Sequence, residues 1–416
     1  MYNKNTFYFN LYIMKVLMFG WELPPHNAGG LGVACAGLAK ALVNRGIWLT
    51  FVLPRKVPLP VLSYHVRFAA SSREIYADCA TFLFSPYRTS REAWTLRGEG
   101  GCLPIGGLFQ QEVERYAAFA RVVAREEEFD IIHAHDWLCI PAGMEAKRLT
   151  GKPLIVHIHA TEFDRTGFGN INEQVYAIER AGVHAADRVI AVSNFTRNIL
   201  IEKYGVDPQK VMVAHNGVDV AEVLAHAAVS GALEAQRQAG TKIVLFLGRI
   251  TLQKGPDYFV RVAKRVLDHE RALFVVSGSG DMERQIIEEA AWLGIGDRVL
   301  FAGFLRGAEL GRMLASADVL VMPSVSEPFG IVPLEALVHG VPVLISKQSG
   351  VSEVLRHALK ADFWDIDEMA NQIIAVLRHK SLRGVLSNEG RREAHYQTWD
   401  KAAQVCTVAY QSLAFQ

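Results

Sequence analysis

The segment Met14-Lys15-Val16-Leu17-Met18-Phe19-Gly20 is a continuous apolar run of strand length near the start of the chain. A helical pattern follows it from Leu31 to Asn44, with an apolar residue every three or four positions. Gly46 comes two residues later and is a residue type that commonly ends a helix. A buried strand followed by an amphipathic helix is the repeating unit of parallel α/β sheets. The segment therefore predicts the first strand of a doubly wound domain.

The same alternation of apolar runs and helical patterns continues along the chain and restarts near its middle. Because continuous apolar strands separated by helices are typical of parallel sheets covered on both faces, we predict an α/β protein of two doubly wound, Rossmann-like domains facing a deep interdomain cleft. Ligands of such sheets bind at the carboxyl ends of the strands. The predicted strands are Val16–Phe19, Trp48–Leu53, Ile131–Ala134, Leu154–Ile158, Arg188–Val192 and Val211–Ala214, and then Lys242–Leu247, Leu273–Ser277, Val299–Phe301, Val319–Met322 and Val341–Ile345. The predicted helices of the second half are Pro256–Leu267, Met282–Trp292, Ala308–Ala315 and Leu334–His339.

The same pattern also predicts the domain boundaries. Met14 is an alternative start of the chain, and the polar, alanine-rich stretch from Ala221 to Thr241 is the predicted join between domains. Residues 54–107 have weak periodicity and are predicted to be an insertion with mobile loops. The predicted units are a disordered extension at 1–13, a first Rossmann-like domain at 14–225, a second at 240–395, and a C-terminal helix at 396–416 that packs back on the first domain.

The composition limits the partners. The chain has 416 residues, and its 44 basic residues balance 43 acidic ones to leave a formal charge of +1. No basic field is available for nucleic acid or an anionic membrane, so we expect neither as a partner. The five cysteines include no Cys-x-x-Cys pair, which fits a reducing compartment, and no run of 18 uncharged apolar residues occurs. We therefore expect a cytoplasmic protein without a transmembrane segment.

Two loops that follow predicted strands suit an anion. The first carries Gly29 and Gly30 ahead of a helix, where backbone N–H groups can approach a phosphate, although glycines also suit a plain turn. Arg249 and Lys254 follow the strand Lys242–Leu247. A guanidinium and an ammonium at a strand end predict a clamp for a diphosphate, with solvated surface cations as the alternative.

A pair of carboxylates eight residues apart frames the start of a predicted helix. Glu327 lies in the loop before the helix, and Glu335 lies about one turn inside it, within reach of ribose hydroxyls. The segment from Gly330 to Pro333 heads the helix, so the N–H groups of Ile331 and Val332 are predicted to face a phosphate. The alternative is an exposed loop acid followed by an acid that stabilises the helix dipole.

Two His-x-His pairs, His133/His135 and His157/His159, fall on neighbouring predicted strands, with both members of each pair on one face. The pattern suits a metal or an amidohydrolase-like site, but the carboxylate and lysine ligands of such a site have no evident position, so we expect no metal. Asp365-Ile366-Asp367 resembles the Asp-x-Asp manganese motif of other transferases. Its position in a late polar loop favours the start of a helix instead.

Together these motifs resemble those of the retaining glycosyltransferases of the two-domain GT-B type, the large family-four group (glycosyl transferases group 1). Within that group they are similar to bacterial and archaeal glycogen synthases, over nearly the whole chain from Met14. Synthases that extend starch or glycogen often carry a lysine just before the paired glycines, where this chain has Asn27-Ala28, so the resemblance does not specify the nucleotide or the acceptor. The matching segments are Ala28–Gly32, His135–Trp137, His159–Glu162, Ala186–Ser193, His215–Asp219, Gly248-Arg249 with Lys254-Gly255, Ser277–Gly280, and the Glu-x7-Glu from Glu327 to Glu335.

The resemblance implies a role for each matching residue. Arg249 and Lys254 would bind the donor diphosphate and stabilise charge on the leaving group, and Glu335 would bind the donor ribose. His159 would contact the transferred sugar near its reactive carbon, and Glu327 would hold that sugar from the opposite side. The implied catalytic set is His159, Arg249, Lys254 and Glu327, and the implied donor-binding set is Gly29, Gly30, Gly278, Gly330, Ile331, Val332 and Glu335.

The resemblance also implies the reaction. We expect a retaining hexosyltransferase that moves a hexose, with glucose favoured, from an ADP- or UDP-linked sugar to an oligo- or polysaccharide acceptor, without a cofactor. The alternatives are a family-four transferase acting on another glycan or on a small molecule, of the mannosyl or the sucrose/trehalose type, and a nucleotide-sugar epimerase. A non-catalytic sugar-binding protein on the same fold is disfavoured, because such a protein need not keep every element of the site.

Overall fold

The computed structural model describes residues 13–25, 29–69, 105–225 and 233–414, without the side chains of residues 105–109 and 234. The predicted extension at 1–13 lies outside these ranges except for Ile13, and so does residue 28, which belongs to one of the matching segments. Most of the predicted insertion at 54–107 also lies outside them.

The described residues form two parallel sheets, one in each half of the chain. This arrangement confirms the prediction of two Rossmann-like α/β domains. The first sheet has the order β3-β2-β1-β4-β5-β6-β7 and the second has the order β10-β9-β8-β11-β12-β13. The strands are β1 Lys15–Phe19, β2 Trp48–Leu53, β3 His65–Phe68, β4 Ile131–His135, β5 Leu154–Ile158, β6 Arg188–Ala191, β7 Val211–Val213, β8 Lys242–Leu247, β9 Ala272–Ser277, β10 Val299–Gly303, β11 Val319–Met322, β12 Val343–Ser346 and β13 Leu359–Ala361.

Helices cover the sheets because the central strands have to be buried on both faces. Strands β4, β5, β11 and β12 are buried along their whole length. The helices are α1 Gly30–Asn44, α2 Ile105–Glu126, α3 Asp136–Thr150, α4 Glu162–Arg165, α5 Glu173–Ala185, α6 Asn194–Tyr204, α7 Val220–Ala225, α8 Glu234–Gln238, α9 Pro256–Leu267, α10 Glu283–Trp292, α11 Gly307–Ser316, α12 Val332–Val338, α13 Ile366–Arg378, α14 Lys380–Tyr396 and α15 Trp399–Ala414.

Each sheet has one point at which the strand order reverses. In the first sheet β1 pairs with β4, with Val16 opposite Ile131, and in the second β8 pairs with β11, with Val244 opposite Val319. Crossover connections leave a crevice at such a point, outside the carboxyl ends of the strands. The loops after β1, β4, β8 and β11 are therefore the ones placed to bind a ligand.

The last helix, α15, packs on the first domain. Trp399 and Tyr410 are buried in the same core as strands β1 and β4. Gly37 in α1 and Gly217 after β7 lie so close to Trp399 that a Cβ at either glycine would overlap it. The chain thus crosses from the second domain back to the first after residue 396.

The structure differs from the sequence prediction mainly at the sheet edges. The predicted insertion at 54–107 contains the edge strand β3, and the described end of this region begins α2. The edge strand β13 was not predicted, and the strand predicted at Val341–Ile345 is shifted to β12. Short edge strands need few apolar residues, because one side of such a strand has no neighbour. Their apolar pattern is therefore weak.

Candidate active site

The loops after β8 and β9 are packed against each other through their backbones. The amide of Ile250 donates a hydrogen bond to Ser279 O at 2.9 Å. Gly278 has φ +143°, and a Cβ there would overlap the carbonyl oxygen of Gly248. A Cβ at Gly280 would overlap the carbonyl oxygen of Ile250 in the same way. The glycines of the predicted Ser-Gly-Ser-Gly motif thus let the neighbouring strand end approach closely and fix the path of the chain at Arg249.

Arg249 and Lys254 lie in one loop at the carboxyl end of β8. A turn of 3-10 helix at Leu252–Lys254 leads into Gly255, which has φ +64° and is the N-cap of α9. The Arg249 Nη2 donates to Gln253 Oε1 at 2.8 Å. The carbonyl of Gln253 in turn accepts the amide of Val325 at 2.9 Å, which joins this loop to the loop after β11.

Lys254, predicted to bind the donor diphosphate, and Glu327, predicted to hold the sugar, form an ion pair. The two side chains are only 18% and 7% exposed. Backbone bonds on both sides fix Glu327, since its amide donates to Gln348 O and its carbonyl accepts the amide of Gly350, each at 2.9 Å. The pair therefore sits on rigid backbone at the reversal point of the second sheet. The predicted catalytic role of these residues stays a prediction.

The start of α12 supplies the remaining predicted donor residues. Gly330 has φ +100°, Ile331 is the N-cap and Val332 is the first helical residue. Glu335 is half-buried one turn further on. Removal from water, and to a smaller extent the nearby charge of Glu222, raises the pKa of Glu335 to about 7. No sequence motif links Glu222 to Glu335, so sequence pattern alone does not identify this contact.

His159 follows β5 and is held from two directions. Its Nε2 is hydrogen-bonded to His135 Nδ1 at 2.9 Å, and its backbone amide donates to Asp136 Oδ1 at 2.6 Å. Burial lowers the pKa of His159 to about 3, so the imidazole is neutral near pH 7. Asp136 has φ +55° and was not singled out by the sequence analysis, although it belongs to the His-Asp-Trp segment. The role of His159 toward the sugar stays a prediction.

The two His-x-His pairs form one stack of four imidazoles. His133 and His135 stack at 4.5 Å between ring centroids, and His157 and His159 stack at 4.4 Å. His133 is also hydrogen-bonded to the hydroxyl of Tyr410 in α15 at 2.7 Å. Burial lowers the pKa of all four histidines. The stack thus ties the last helix to the strands that carry His159.

Ligand-type atoms come close together in this stack. Those of His133, His135 and His157 lie within 4.8 Å of one another, and so do those of Cys35, His135 and His159. The expectation of a metal-free site stays a prediction. The other candidate, Asp365, accepts a hydrogen bond from the amide of Glu368 at 3.0 Å as the N-cap of α13, which fits the helix-start interpretation.

The predicted site residues come from both domains, which contact each other next to Glu327. The hydroxyl of Ser326, next to Glu327, donates to Asp164 Oδ1 at 2.6 Å. The hydroxyl of Ser193 donates to the carbonyl of Pro328 at 2.6 Å. In the first domain Gly29 is the N-cap of α1 and Gly30 is its first residue. His159, Gly29 and Gly30 thus come from the first sheet, and the other predicted site residues come from the second.

Two Rossmann-like domains with a ligand crevice between them are the GT-B architecture, and solved proteins of that class match the structure over nearly its whole length. Sucrose-phosphate synthase from Thermosynechococcus elongatus superposes with a TM-score of 0.72 at 19% identity, covering 96% of this chain and 99% of that one. Anabaena HepE, solved in complex with UDP and glucose, superposes with a TM-score of 0.69 at 18% identity, covering 96% and 100%.

Sequence comparison identifies the family. The family model for Glycosyltransferase Family 4 matches residues 28–222, and the model for Glycosyl transferases group 1 matches residues 233–393. The chain is 31% identical to D-inositol 3-phosphate glycosyltransferase of Salinispora arenicola, covering 74% of this chain and 75% of that one. The protein therefore belongs to the group 1 glycosyltransferases and is an enzyme of that class.

Two further relatives extend the match. An uncharacterized glycosyltransferase of Methanocaldococcus jannaschii is 28% identical over 95% of this chain and 98% of its own length. Glycogen synthase of Mycobacterium tuberculosis is 29% identical over 82% and 80%. The resemblance predicted from the motifs is thereby confirmed. Within the described residues, no helix combines the length and the apolar character needed to cross a bilayer.

Proposed function

We propose that this glycosyltransferase moves a hexosyl group, with glucose as the favoured sugar, from an ADP- or UDP-linked donor to an oligo- or polysaccharide acceptor, with retention of the anomeric configuration. The similarity to a glycogen synthase supports the acceptor class. The likeness to a protein solved with UDP and glucose supports the donor class. We further propose that the reaction takes place in the cytoplasm and needs neither cofactor nor metal.

One observation carries the proposal: Lys254 and Glu327 pair in the crevice, beside Arg249, at the reversal point of the second sheet. An ammonium group has three N–H donors, so Lys254 can bond to a phosphate oxygen while it stays next to the carboxylate. Arg249 adds a planar fork suited to two oxygens of a diphosphate. Both cations stand where negative charge develops as the nucleoside diphosphate leaves.

The other predicted site residues position the sugar and help to stabilise the negative charge of the phosphates. The N–H groups of Ile331 and Val332 head α12 and add fixed dipoles toward the phosphates. The neutral imidazole of His159 and the carboxylate of Glu327 hydrogen-bond the sugar hydroxyls from opposite sides. The acceptor hydroxyl attacks the anomeric carbon on the face that the diphosphate leaves, and a phosphate oxygen takes its proton. No protein nucleophile is needed in this sequence of events.

The experiment compares Lys254→Ala and Arg249→Ala with the wild-type enzyme at saturating donor. Loss of one preorganised charge-stabilising group lowers kcat by about 10²–10³-fold. Lys264→Ala and Arg284→Ala are the matched controls, because those cations form exposed i,i+4 pairs in α9 and α10. Near-wild-type transfer by both Lys254→Ala and Arg249→Ala would show that the phosphate clamp is wrong.

The substrates are assigned with the same preparations. ADP-, UDP- and GDP-linked hexoses are screened against glucose oligosaccharides, glycogen and D-inositol 3-phosphate. Transfer to inositol phosphate alone would favour a small-molecule acceptor, as the name of the Salinispora arenicola relative suggests. Interconversion of the donor without any acceptor would favour an epimerase. NMR of the product linkage reads the anomeric configuration directly, and an inverted product contradicts the retaining mechanism.

A further inference from the structure

An aromatic side chain at the edge of the crevice is held out toward solvent on strained backbone. Phe168 has φ +63°, in the left-handed region that bulky residues rarely occupy. Its side chain is nevertheless 45% exposed, so core packing does not account for the strain. Backbone strain of this kind persists only where the surrounding structure enforces it, and it is concentrated at ligand sites.

The surrounding structure enforces the turn from both ends. The amide of Phe168 donates to Phe163 O at 2.9 Å, and the two rings lie 6.2 Å apart. The hydroxyl of Thr166 donates to Glu162 O at 3.0 Å, and the amide of Gly169 donates to Thr166 O at 3.1 Å. These bonds fasten the turn Thr166–Gly169 to the end of α4, so the ring is presented in one direction.

The same turn lies against the second domain. A Cβ placed on Gly167 would stand 3.5 Å from Val325 Cγ1 and 3.7 Å from Leu252 Cδ2. Leu252 is itself 51% exposed, so an apolar edge continues across the domain boundary. Just before the turn, Asp164 accepts the hydroxyl of Ser326 at 2.6 Å and completes the connection.

The turn is also close to the groups that handle the donor. Leu252 is two residues before Lys254, and Val325 is two residues before Glu327. Two residues span at most about 7 Å, which is the scale of one sugar ring. A second sugar resting on the turn therefore lies within reach of a sugar held by Glu327.

We propose that the turn Thr166–Gly169 belongs to the acceptor site and that the Phe168 ring is the platform on which the acceptor sugar stacks. A pyranose offers an apolar face of C–H groups and a rim of hydroxyls, and a half-exposed aromatic ring on a turn that lies against Leu252 matches that face. The acceptor class is thus a pyranoside with an unsubstituted apolar face. This inference rests on the proposed transfer to a carbohydrate and specifies which residue recognises the acceptor.

The test uses full-length Phe168→Ala, Phe168→Gly and Phe168→Trp enzymes with the best carbohydrate acceptor of the wild type. We expect the acceptor KM to rise about tenfold for the alanine and glycine variants, equivalent to about 1.4 kcal/mol. The tryptophan variant keeps a stacking surface and is expected within about twofold of wild type. Donor Kd, measured by calorimetry without acceptor, is expected to stay unchanged in all three.

Thermal unfolding separates recognition from a structural role. Phe168→Gly removes the left-handed strain, so its Tm is expected to equal or exceed that of wild type while its acceptor KM rises. Trp292→Ala is the matched control, since that aromatic is 84% exposed at the end of α10 that points away from the carboxyl edge of the sheet. It is expected to leave both KM values unchanged.

The outcomes are distinct. An unchanged acceptor KM in Phe168→Gly overturns the inference and leaves the proposed function intact. A rise in donor Kd together with a fall in Tm assigns Phe168 a structural role and also overturns it. Wild-type enzyme that transfers no sugar to any carbohydrate overturns the proposed function itself, and the acceptor platform with it.

Discussion

At the scale of single residues, the crevice depends on positions where any side chain beyond hydrogen would collide with backbone. Gly278 is one, because a Cβ there would overlap Gly248 O. A backbone carbonyl cannot rotate out of the way as the end of a long side chain can. The glycines of this motif therefore hold the loops after β8 and β9 together, and Arg249 depends on that contact for its position.

Gly278→Ala is expected to destabilise the protein by about 1–3 kcal/mol and to lower transfer activity. The backbone has to shift to relieve both the overlap and the φ of +143°. Gly384→Ala is the control, because that glycine lies in α14 with open space around the added methyl group. It is expected to stabilise by roughly 0.5–1 kcal/mol. Denaturant unfolding measures both, and equal effects at the two sites would contradict the contact-based argument.

Glu335 is expected to show a conflict between binding and stability. Its pKa rises from an ordinary 4.5 to about 7 in the folded protein, chiefly through removal from water. Between those values the folded state holds a proton that the unfolded chain has lost, so this carboxyl's contribution to stability falls as the pH rises from 4.5 to 7. Glu335→Gln avoids the loss and should raise the Tm at pH 8 more than at pH 5.

Donor binding should respond in the opposite direction. An ionised Glu335 accepts hydrogen bonds from ribose hydroxyls better than a protonated one, so wild-type donor affinity is expected to increase from pH 6 to pH 8. The glutamine variant should bind donor more weakly and lose this pH dependence, as measured by calorimetry. Tighter donor binding by Glu335→Gln at pH 8 would exclude the ribose role.

At the scale of elements, the apolar sequence pattern is sufficient to predict the buried strands. It is too weak to predict the strands at the edges of the two sheets. Strands β4, β8 and β11 are mostly apolar and buried, and their predicted ends lie within about one residue of the observed ends. Strand β3 has a half-exposed pattern with a histidine and an arginine, and β13 has only three residues. Neither carries enough apolar periodicity to be found without its neighbours.

The candidate site, too, could be predicted from the sequence only in part. Local motifs were enough to name Arg249, Lys254, Glu327 and Glu335. The pairing of Lys254 with Glu327 and the effect of Glu222 on Glu335 depend on contacts between segments far apart in the chain. Asp136 and the turn at Phe168 were missed because their roles rest on backbone geometry, which has no residue-type signature.

The docking of α15 is expected to rest on Trp399. Its indole fills the space above Gly37, and its backbone lies against Gly217. Trp399→Ala leaves a cavity there and is expected to cost about 3–5 kcal/mol in the free energy of unfolding. Trp292→Ala, at an 84% exposed site, should change it by no more than about 0.5 kcal/mol. A small effect at Trp399 would mean that the rest of α15 suffices for docking.

At the scale of the whole molecule, one carboxylate of the second domain caps a helix of the first. Glu353 accepts the amides of Asn194 and Phe195 at 2.9 and 2.8 Å, at the start of α6, and contacts His215 Nε2 at 2.8 Å. A negative charge at a helix start is favourable, and here it also joins two domains. The arrangement of the site residues of the two domains therefore depends on a contact remote from the donor loop.

Glu353→Ala is expected to loosen the domains, with a larger radius of gyration by small-angle scattering and a donor KM raised about tenfold. A loss of that size corresponds to about 1.4 kcal/mol, modest for a hydrogen-bonded interface carboxylate. Glu288→Ala, in an exposed i,i+4 pair, is the control. Unaltered scattering and KM in Glu353→Ala would show that other contacts set the domain arrangement.

The pH dependence of this contact follows from the same bonds. Burial alone would raise the pKa of Glu353, but the hydrogen bonds from His215 and from the α6 amides outweigh it and lower the pKa below 4.5. Its stabilising contribution is therefore present above pH 4.5 and is lost as the pH falls through the lowered folded value. The wild-type radius of gyration should accordingly stay constant from pH 7 to pH 5.

The return of α15 to the first domain also constrains biosynthesis. Trp399 and Tyr410 belong to the core around β1 and β4, and Tyr410 bonds to His133 in the histidine stack. Domains generally fold in order as the chain leaves the ribosome. Here the domain made first stays incomplete until the second has been translated, so the nascent protein exposes an unfilled apolar surface while the second domain is synthesised. The core of the first domain is therefore complete only after α15 has been synthesised.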